Sequence, residues 1–483
     1  MVSQWFALKA QSTTLRTEVV AGLTTFLTMA YIIVVQPLVL SGQMFGFSTG
    51  MDFGAVMTAT CISAAVATLI MGLYAKYPIV QAPGMGENFF FVLTALPVIA
   101  AAGHEQPWSV ALGVVFISGL LFLLLSLTGV REAIMGAVSP SMKNAMAVGI
   151  GLFIAFIGLQ NTGLIVSAAT LVPGADGAVL SPGTLVKMNH HFASIDLLLF
   201  LAGLIVTAVL HVRRVRGSIL LGILFTTVLA IIIKGALLLF PAWAEWACFN
   251  ESMFISRFTV TSKIVSLPPS LAPTFFKMNL KAALSISMLP LILIFLFMDL
   301  FDTLGTLVGV SEQAGLMRDN RLPRARRAML SDAVGTVTGA ALGTSTVTSF
   351  IESAAGVEQG GRTGLTAVVA ACGFILALFF SPVVSMIGSY PVITAPALVV
   401  VGAMMLRNVI KIDWHDYSEA IPAFMIILGM PLSYSVADGL ALGFIVYPLI
   451  KILSGRGREV GWLMTLLSLV LMAYFIFLRA PLG

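Results

Sequence analysis

The chain has 483 residues, 59% of them hydrophobic and 10% charged, with a formal charge of +5 and a mean hydropathy of +1.02. Soluble domains carry about 25% charged residues, so this composition excludes an ordinary soluble enzyme, a disordered chain and a nucleic-acid binder. At about 20 residues per crossing helix, the length fits roughly 12 to 15 spans and no sizeable soluble domain.

In chain order, apolar runs predict spans near 18–40, 53–75, 79–99, 108–128, 141–160, 194–211, 217–240, 282–309, 328–343, 346–358, 364–387, 392–410, 417–434 and 437–453, with a further run at 460–478. The fold class read from this is an all-α polytopic membrane protein. The first run continues to Gln36 and lacks a small-residue cleavage site, so it reads as a span and not a removable signal. Basic residues gather at run ends: Lys76, Arg131, Arg213, Arg214 and Arg216, then Arg318, Arg321, Arg324, Arg326 and Arg327, then Arg362, Lys411, Arg456 and Arg458. The positive-inside rule then puts the N-terminus in the cytoplasm and turns the loops 161–193 and 241–280 outward. Cys61, Cys248 and Cys372 are too scattered for a disulfide framework or a metal site.

Two stretches break the helical pattern. One is Ala82-Pro83-Gly84-Met85-Gly86-Glu87-Asn88 in the third run; the other runs from Gly343 to Glu352, between the ninth and tenth. The second is rich in β-branched and hydroxyl residues, which favour extended backbone. Non-helical backbone at membrane depth must pair within the protein or line a polar cavity. If the chain is two repeats of seven spans, the breaks fall in spans three and ten, and paired interruptions of this kind point to a transporter's substrate site.

Acidic residues inside apolar runs are Glu87, Asp299, Asp302, Asp332 and Glu352. Each costs about 2.5–3.5 kcal/mol at membrane depth on insertion scales and is a functional candidate for that reason. No Lys or Arg lies between Ala282 and Met317 or between Ala328 and Gly361. Asp302 and Glu352 therefore bind a proton, a cation or ligand N–H groups, unless Lys234 or nearby Thr and Ser hydroxyls satisfy them. Helical spacing predicts that Asp299, Asp302 and Thr306 share roughly one face, with Asp299 supporting Asp302 or simply capping a bend. Ser353-Ala354-Ala355-Gly356 reads as the start of a half-helix, whose N-terminus favours acceptor atoms. Phe350 shares a face with Glu352 on an extended strand and could stack on a planar ligand, although core packing is the more usual role of a lone Phe. Gly84 and Gly86 permit close backbone approach, or simply a kink, and Asn88 can donate and accept at a heterocycle edge. Thr346 and Ser349 stand behind these positions.

His104, His190, His191, His211 and His415 fall in loops or at run ends, and Asn250-Glu251-Ser252 has the form of a glycosylation acceptor. No nucleotide-binding loop, nucleophile–base order or zinc spacing stands out. The chain reads as a transporter and not an enzyme, with no metal and no cofactor beyond a coupling proton.

Taken together, Glu18 to Tyr31, Ala82-Pro-Gly-Met-Gly-Glu-Asn88, Phe301-Asp-Thr-Leu-Gly-Thr306, Ile351-Glu-Ser-Ala-Ala-Gly356 and Gly360-Gly-Arg-Thr-Gly364 closely resemble the azaguanine/hypoxanthine-permease-like branch of the nucleobase–ascorbate transporter superfamily. The resemblance runs nearly end to end. It implies fourteen spans in two inverted repeats. A core domain would comprise residues 1–128 and 241–387, and a gate domain residues 129–240 and 388–483. Short antiparallel strands in segments 3 and 10 would hold the substrate. The motifs carry the family's substrate positions to Gly86 and Asn88, to the carboxylates Asp302 and Glu352, and to the aromatic position Phe350. Uracil-type relatives have Glu with a nearby His where Asp302 and Thr306 stand here.

The function expected on this basis is proton-coupled uptake of a purine base, hypoxanthine or guanine by resemblance and adenine by the same chemistry, across the cytoplasmic membrane. A carboxylate accepts strongly from purine N–H groups. Two desolvated acids side by side favour protonating one, so Asp302 or Glu352 is expected to carry the proton. A homodimer is compatible with the fold. The rival readings are a sulfate-type anion transporter, which two unpaired acids would disfavour, and a cation channel or antiporter that uses the acids as ligands.

Overall fold

The structure, a computed structural model, describes residues 2–128, 138–168, 171–174, 177–180, 186–189, 192–249, 252–317, 322–473 and 475–476. Arg131, Arg318, Arg321, His190, His191, Asn250 and Glu251, singled out above, lie outside the described residues.

The first half begins with α1 (Leu15–Met29) and α2 (Ile32–Leu40). Thr14 caps α1 by accepting from the Thr17 N–H. Then come α3 (Phe53–Ile70), β1 (Gln81–Pro83), α4 (Met85–Phe90), α5 (Leu96–Ala101), α6 (Pro107–Thr128), α7 (Pro140–Asn161), α8 (Ile195–Val212) and α9 (Ser218–Leu239). The loop after α7, expected to face outward, carries four strands in two antiparallel pairs, Ile165–Ser167 with Val186–Met188 and Leu171–Gly174 with Gly177–Leu180.

The second half contains α10 (Leu289–Gln313), α11 (Ala325–Leu342), the strand Val347–Ser349 (β6, after the four loop strands β2 to β5), α12 (Ser353–Glu358), α13 (Gly364–Ala377), α14 (Ser381–Gly388), α15 (Ala395–Met405), α16 (Tyr417–Ser433) and α17 (Val436–Leu453). The last apolar run forms a separate helix, α18 (Trp462–Ala473), packed on α17. Among the described residues, nine helices are long and apolar enough to cross a membrane, and Met85–Ala101, Tyr417–Ser433 and Trp462–Ala473 are shorter apolar helices.

The predicted runs at 79–99 and 346–358 are not continuous helices. Pro83 lacks an N–H, and Val347 and Thr348 favour extended backbone, so each run opens as a strand. The two strands meet antiparallel, Gln81 opposite Ser349, Ala82 opposite Thr348 and Pro83 opposite Val347. Gly84 N–H donates to Thr346 O and Phe350 N–H to Val80 O, both at 3.0 Å. Backbone freed from a helix is thus satisfied inside the protein, as a lipid surrounding demands.

The helices fall into two packing groups: α1–α6 with α10–α14, and α7–α9 with α15–α18. Small residues allow the closest crossings within each. Gly72 meets Gly364 backbone to backbone in the first group, and Gly151 meets Gly402 in the second. At one end of the second group, buried Lys451 lies 3.0 Å from Glu419 and 2.8 Å from Glu459, and Arg456 bonds Glu459 and Asp416. Arg456 first, then Lys451, hold the exposed Glu459 carboxyl down to about 2.

Candidate functional site

The strand pair lies against the middle of α10, and both chain breaks deliver their side chains there. Along α10 the neighbours Phe301, Thr303 and Leu304 are buried, whereas Asp302 and Gly305 are exposed, one turn apart. That narrow opening, beside β6 and its Thr348, is the crevice into which Asp302 is exposed. Thr348 Oγ1 donates to Asp302 Oδ2 at 3.4 Å. Glu352 stands at the head of α12, 7% exposed, and its Oε1 accepts from the Tyr31 hydroxyl at 2.8 Å. Glu352 is within electrostatic reach of Asp302. Ile351 next to it is 46% exposed.

Among the described residues, no Lys, Arg or His pairs with either acid. Lys234 is turned elsewhere: its Nζ donates to Ile255 O at 3.3 Å and sits over the Phe254 ring. The Lys234 pairing raised from sequence is therefore absent. Lys143, on the first turn of α7, lies 5.5 Å from the Phe301 ring.

Asp299, Asp302 and Thr306 lie on one side of α10, as their spacing predicts, but only Asp302 is exposed. Asp299 and Thr306 lie about 60° and about 40° round the helix from Asp302, on the same side. That turn is enough to bury both while Asp302 opens to the crevice. Asp299 faces α11 instead, accepting from Thr336 Oγ1 at 2.8 Å. No hydrogen bond joins it to Asp302; its donor Thr336 lies one turn after the buried Asp332 on α11.

Asn88 is wholly buried, with its amide held by Gln36 and Ser345. Gln36 Nε2 also donates to Thr344 Oγ1 at 2.8 Å. The glycines approach protein: a Cβ on Gly84 would strike Glu87 and Thr348, and one on Gly86 would come 2.9 Å from Ile150 of α7. Gly86 thus sits where the two helix groups touch. Phe350 is 4% exposed and its ring lies in the core. Thr346 accepts through its carbonyl from Gly84, and its buried hydroxyl has no hydrogen-bond partner. Ser349 donates to Asp332 Oδ1 at 3.3 Å and accepts from Gln81 Nε2 at 3.2 Å.

Several of these partners escaped the sequence reading. Tyr31, Gln36 and Gln81 each put a hydrogen-bonding group into an apolar run, and a buried tyrosine hydroxyl or amide needs a partner. That was the available signal. Glu18 is another: fully buried, it accepts from the N–H groups of Arg362, Thr363 and Thr366 and from the hydroxyls of Thr363 (2.8 Å) and Thr366 (2.6 Å). Two motifs more than 340 residues apart, one at Glu18 and one at Gly360–Gly364, are one structural unit that caps α13.

A helical membrane protein whose two half-chains meet through paired strands, with acids gathered at the crossing, has the architecture of an inverted-repeat secondary transporter. The transmembrane domain of the cyanobacterial bicarbonate transporter BicA shares this fold, with a TM-score of 0.58 and 14% identity over 89% of this chain and 97% of that one. The chain belongs to the permease family of nucleobase–ascorbate transporters, whose sequence profile matches residues 16–442. It is 44% identical to the guanine/hypoxanthine permease PbuG of Bacillus subtilis, covering 98% of this chain and 99% of that one. It is 36% identical to the adenine permease AdeP of Escherichia coli, covering 99% and 97%. The protein is a multi-pass transporter and not an enzyme.

Proposed function

We propose that the protein imports purine bases, hypoxanthine and guanine foremost and adenine by the same chemistry, together with a proton across the cytoplasmic membrane, its N-terminus inside. The observation that carries this reading is the pair of acids brought from distant segments to one crevice, with no cationic partner among the described residues. A neutral purine edge offers N–H donors beside ring acceptors. A carboxylate offers acceptors only, and charge-assisted N–H···O bonds exceed neutral ones in strength. Asp302 receives one N–H of the base. Glu352, steadied by Tyr31, receives another. An anion of the sulfate type would meet two acids of its own sign, which argues against that rival.

Asn88 ties α2 to the stretch before β6 through Gln36 and Ser345, Gly84 and Gly86 let their segment pack closely on Thr348 and Ile150, and Thr306 and Phe350 complete the buried surroundings of the acids. Alternating access follows if the group α1–α6 with α10–α14 moves as a core against the other group as a gate, around Gly86 and Ile150. The names of the relatives support the purine class, and the absence of a paired cation supports a proton as the coupling ion. A homodimer in the bilayer is consistent with this scheme.

The test is uptake of radiolabelled hypoxanthine in cells lacking base transport, challenged with each purine, with sulfate and with a protonophore. Asp302→Asn and Glu352→Gln abolish uptake while the protein remains in the membrane. Uptake at the wild-type level by both variants, or competition by sulfate and not by purines, overturns the reading.

A further inference from the structure

Behind the strand pair, away from the crevice, the fold buries more acid than the substrate needs. Asp299 on α10 and Asp332 on α11 are fully buried and brought together by crossed hydrogen bonds: Thr336, one turn after Asp332, donates to Asp299, and Thr303, one turn after Asp299, donates to Asp332. One oxygen of each is well supplied: Asp299 Oδ2 by Thr336, and Asp332 Oδ1 by Thr303 Oγ1 at 2.6 Å, Gln81 Nε2 at 2.7 Å and Ser349 Oγ at 3.3 Å. The other two oxygens, Asp299 Oδ1 and Asp332 Oδ2, have no donor. Glu87 Oε2, on α4, is also buried without one.

The groups facing this pair are Glu87 from α4, Asp302 from α10, and neutral amides and hydroxyls from β1, β6 and α11. Glu352 and Tyr31 stand beyond Asp302, and Lys143 faces the Phe301 ring. No Lys, Arg or His among the described residues pairs with Asp299 or Asp332. Two neighbouring buried carboxylates with no counter-charge strongly favour taking up one proton between them. A proton on either orphan oxygen supplies a donor where the pair has only acceptors.

A line of hydroxyls joins the pair to the crevice. Thr303 Oγ1 is 2.6 Å from Asp332 Oδ1 and 2.7 Å from Thr348 Oγ1, which is 3.4 Å from Asp302 Oδ2. These are three contacts, and the two threonines bring two hydrogens. The line is complete only with one more, carried on Asp302 or on Asp332 according to which way the hydroxyls turn.

We propose that Asp299 and Asp332 form a proton-binding site exchanging one proton with Asp302 through Thr348 and Thr303, and that this is the proton coupled to transport. In the inward direction Asp302 gives its proton to the Thr348 oxygen, Thr348 gives its own to Thr303, and Thr303 gives its own to Asp332. Both hydroxyls end neutral and one proton has moved. Asp302 is left ionised, the form that accepts a purine N–H, while the proton waits behind the strands. This rests on the purine–proton reading above and names where its proton is held.

The test uses the full-length protein in liposomes. At one proton per purine, an inward gradient of one pH unit drives about tenfold accumulation of hypoxanthine. Thr303→Val keeps the packing volume and removes the hydroxyl. It retains hypoxanthine counterflow, which needs no net proton movement, and loses gradient-driven accumulation; Thr303→Ser restores it. Infrared spectra of the purified protein without purine show a protonated-carboxyl band that disappears in Asp299→Asn or Asp332→Asn. Accumulation by Thr303→Val equal to wild type, a band indifferent to both aspartate changes, or accumulation driven by sodium in place of protons overturns the proposal. Failure of the wild type to carry any purine overturns the substrate reading, while the infrared measurement still decides the acid pair.

Discussion

Tyr31→Phe isolates the part of the site with the simplest geometry. The hydroxyl donates to Glu352 Oε1 at 2.8 Å, with Tyr31 1% and Glu352 7% exposed. The substitution keeps the ring, so no large cavity forms and the packing of α1 and α2 stays. What is lost is one hydrogen bond to a carboxylate in a buried place, worth about 1.5–3 kcal/mol. If Tyr31 orients Glu352 for the base, that loss falls on binding, and 1.4 kcal/mol is a factor of ten. Calorimetric titration of the purified protein with hypoxanthine is expected to give a Kd raised by about tenfold to a hundredfold. Glu352→Gln and the double variant should then bind equally poorly, because the two residues act through one contact. An unchanged Kd for Tyr31→Phe, or losses that simply add in the double variant, would show that the tyrosine is a packing residue and the argument for an oriented Glu352 is wrong.

Other consequences can be measured in the same preparations. Asn88→Ala breaks the bridge from Gln36 to Ser345 and is expected to change the order in which purines inhibit hypoxanthine uptake; an unaltered order assigns Asn88 to structure alone. Glu18→Ala strips the donors at the head of α13 of a shared acceptor, and a thermal-unfolding assay should report a loss of about 1.5–3 kcal/mol, the scale for a hydrogen bond to a charged group; an unmoved Tm contradicts the capping role. Phe350→Ala empties a core position and is expected to cost about 3–5 kcal/mol of stability, with purine affinity falling if the ring also supports the substrate; a purely functional loss at unchanged Tm would put the ring in the crevice. Glu459, held from about 4.5 down to about 2, contributes stability that is present above its unfolded value and fades as the pH falls through the folded one. Glu459→Gln should remove that acid limb from the Tm profile, and identical wild-type and variant profiles would refute it.

Much of the architecture can be read along the chain because its causes are local. Apolar runs mark the helices, since burying or bilayer-facing surface needs them wherever they end up. Pro83 and the β-branched residues around Val347 mark the two breaks, since they cannot continue a helix comfortably. Asp302 and Glu352 are conspicuous because a charge in an apolar run demands a reason. The interrupted runs also explain why 346–358 was predicted as a span and is a strand with a six-residue helix: hydropathy counts apolar residues and does not see which backbone form carries them.

What the chain leaves open is decided by partners that lie far away in sequence. Glu18 looked like part of a helix start and caps α13; Tyr31 looked like the end of a motif and holds Glu352; Asp299 looked like a support for Asp302 and instead bonds Thr336 of α11. Each depends on the angle at which one helix presents a residue and on which neighbour occupies that side. A difference of about 60° round α10 separates an acid open to a crevice from one sealed behind a strand. Composition and periodicity therefore settle what kind of protein this is. Only the packing of its two halves settles which acids see a ligand and which see each other.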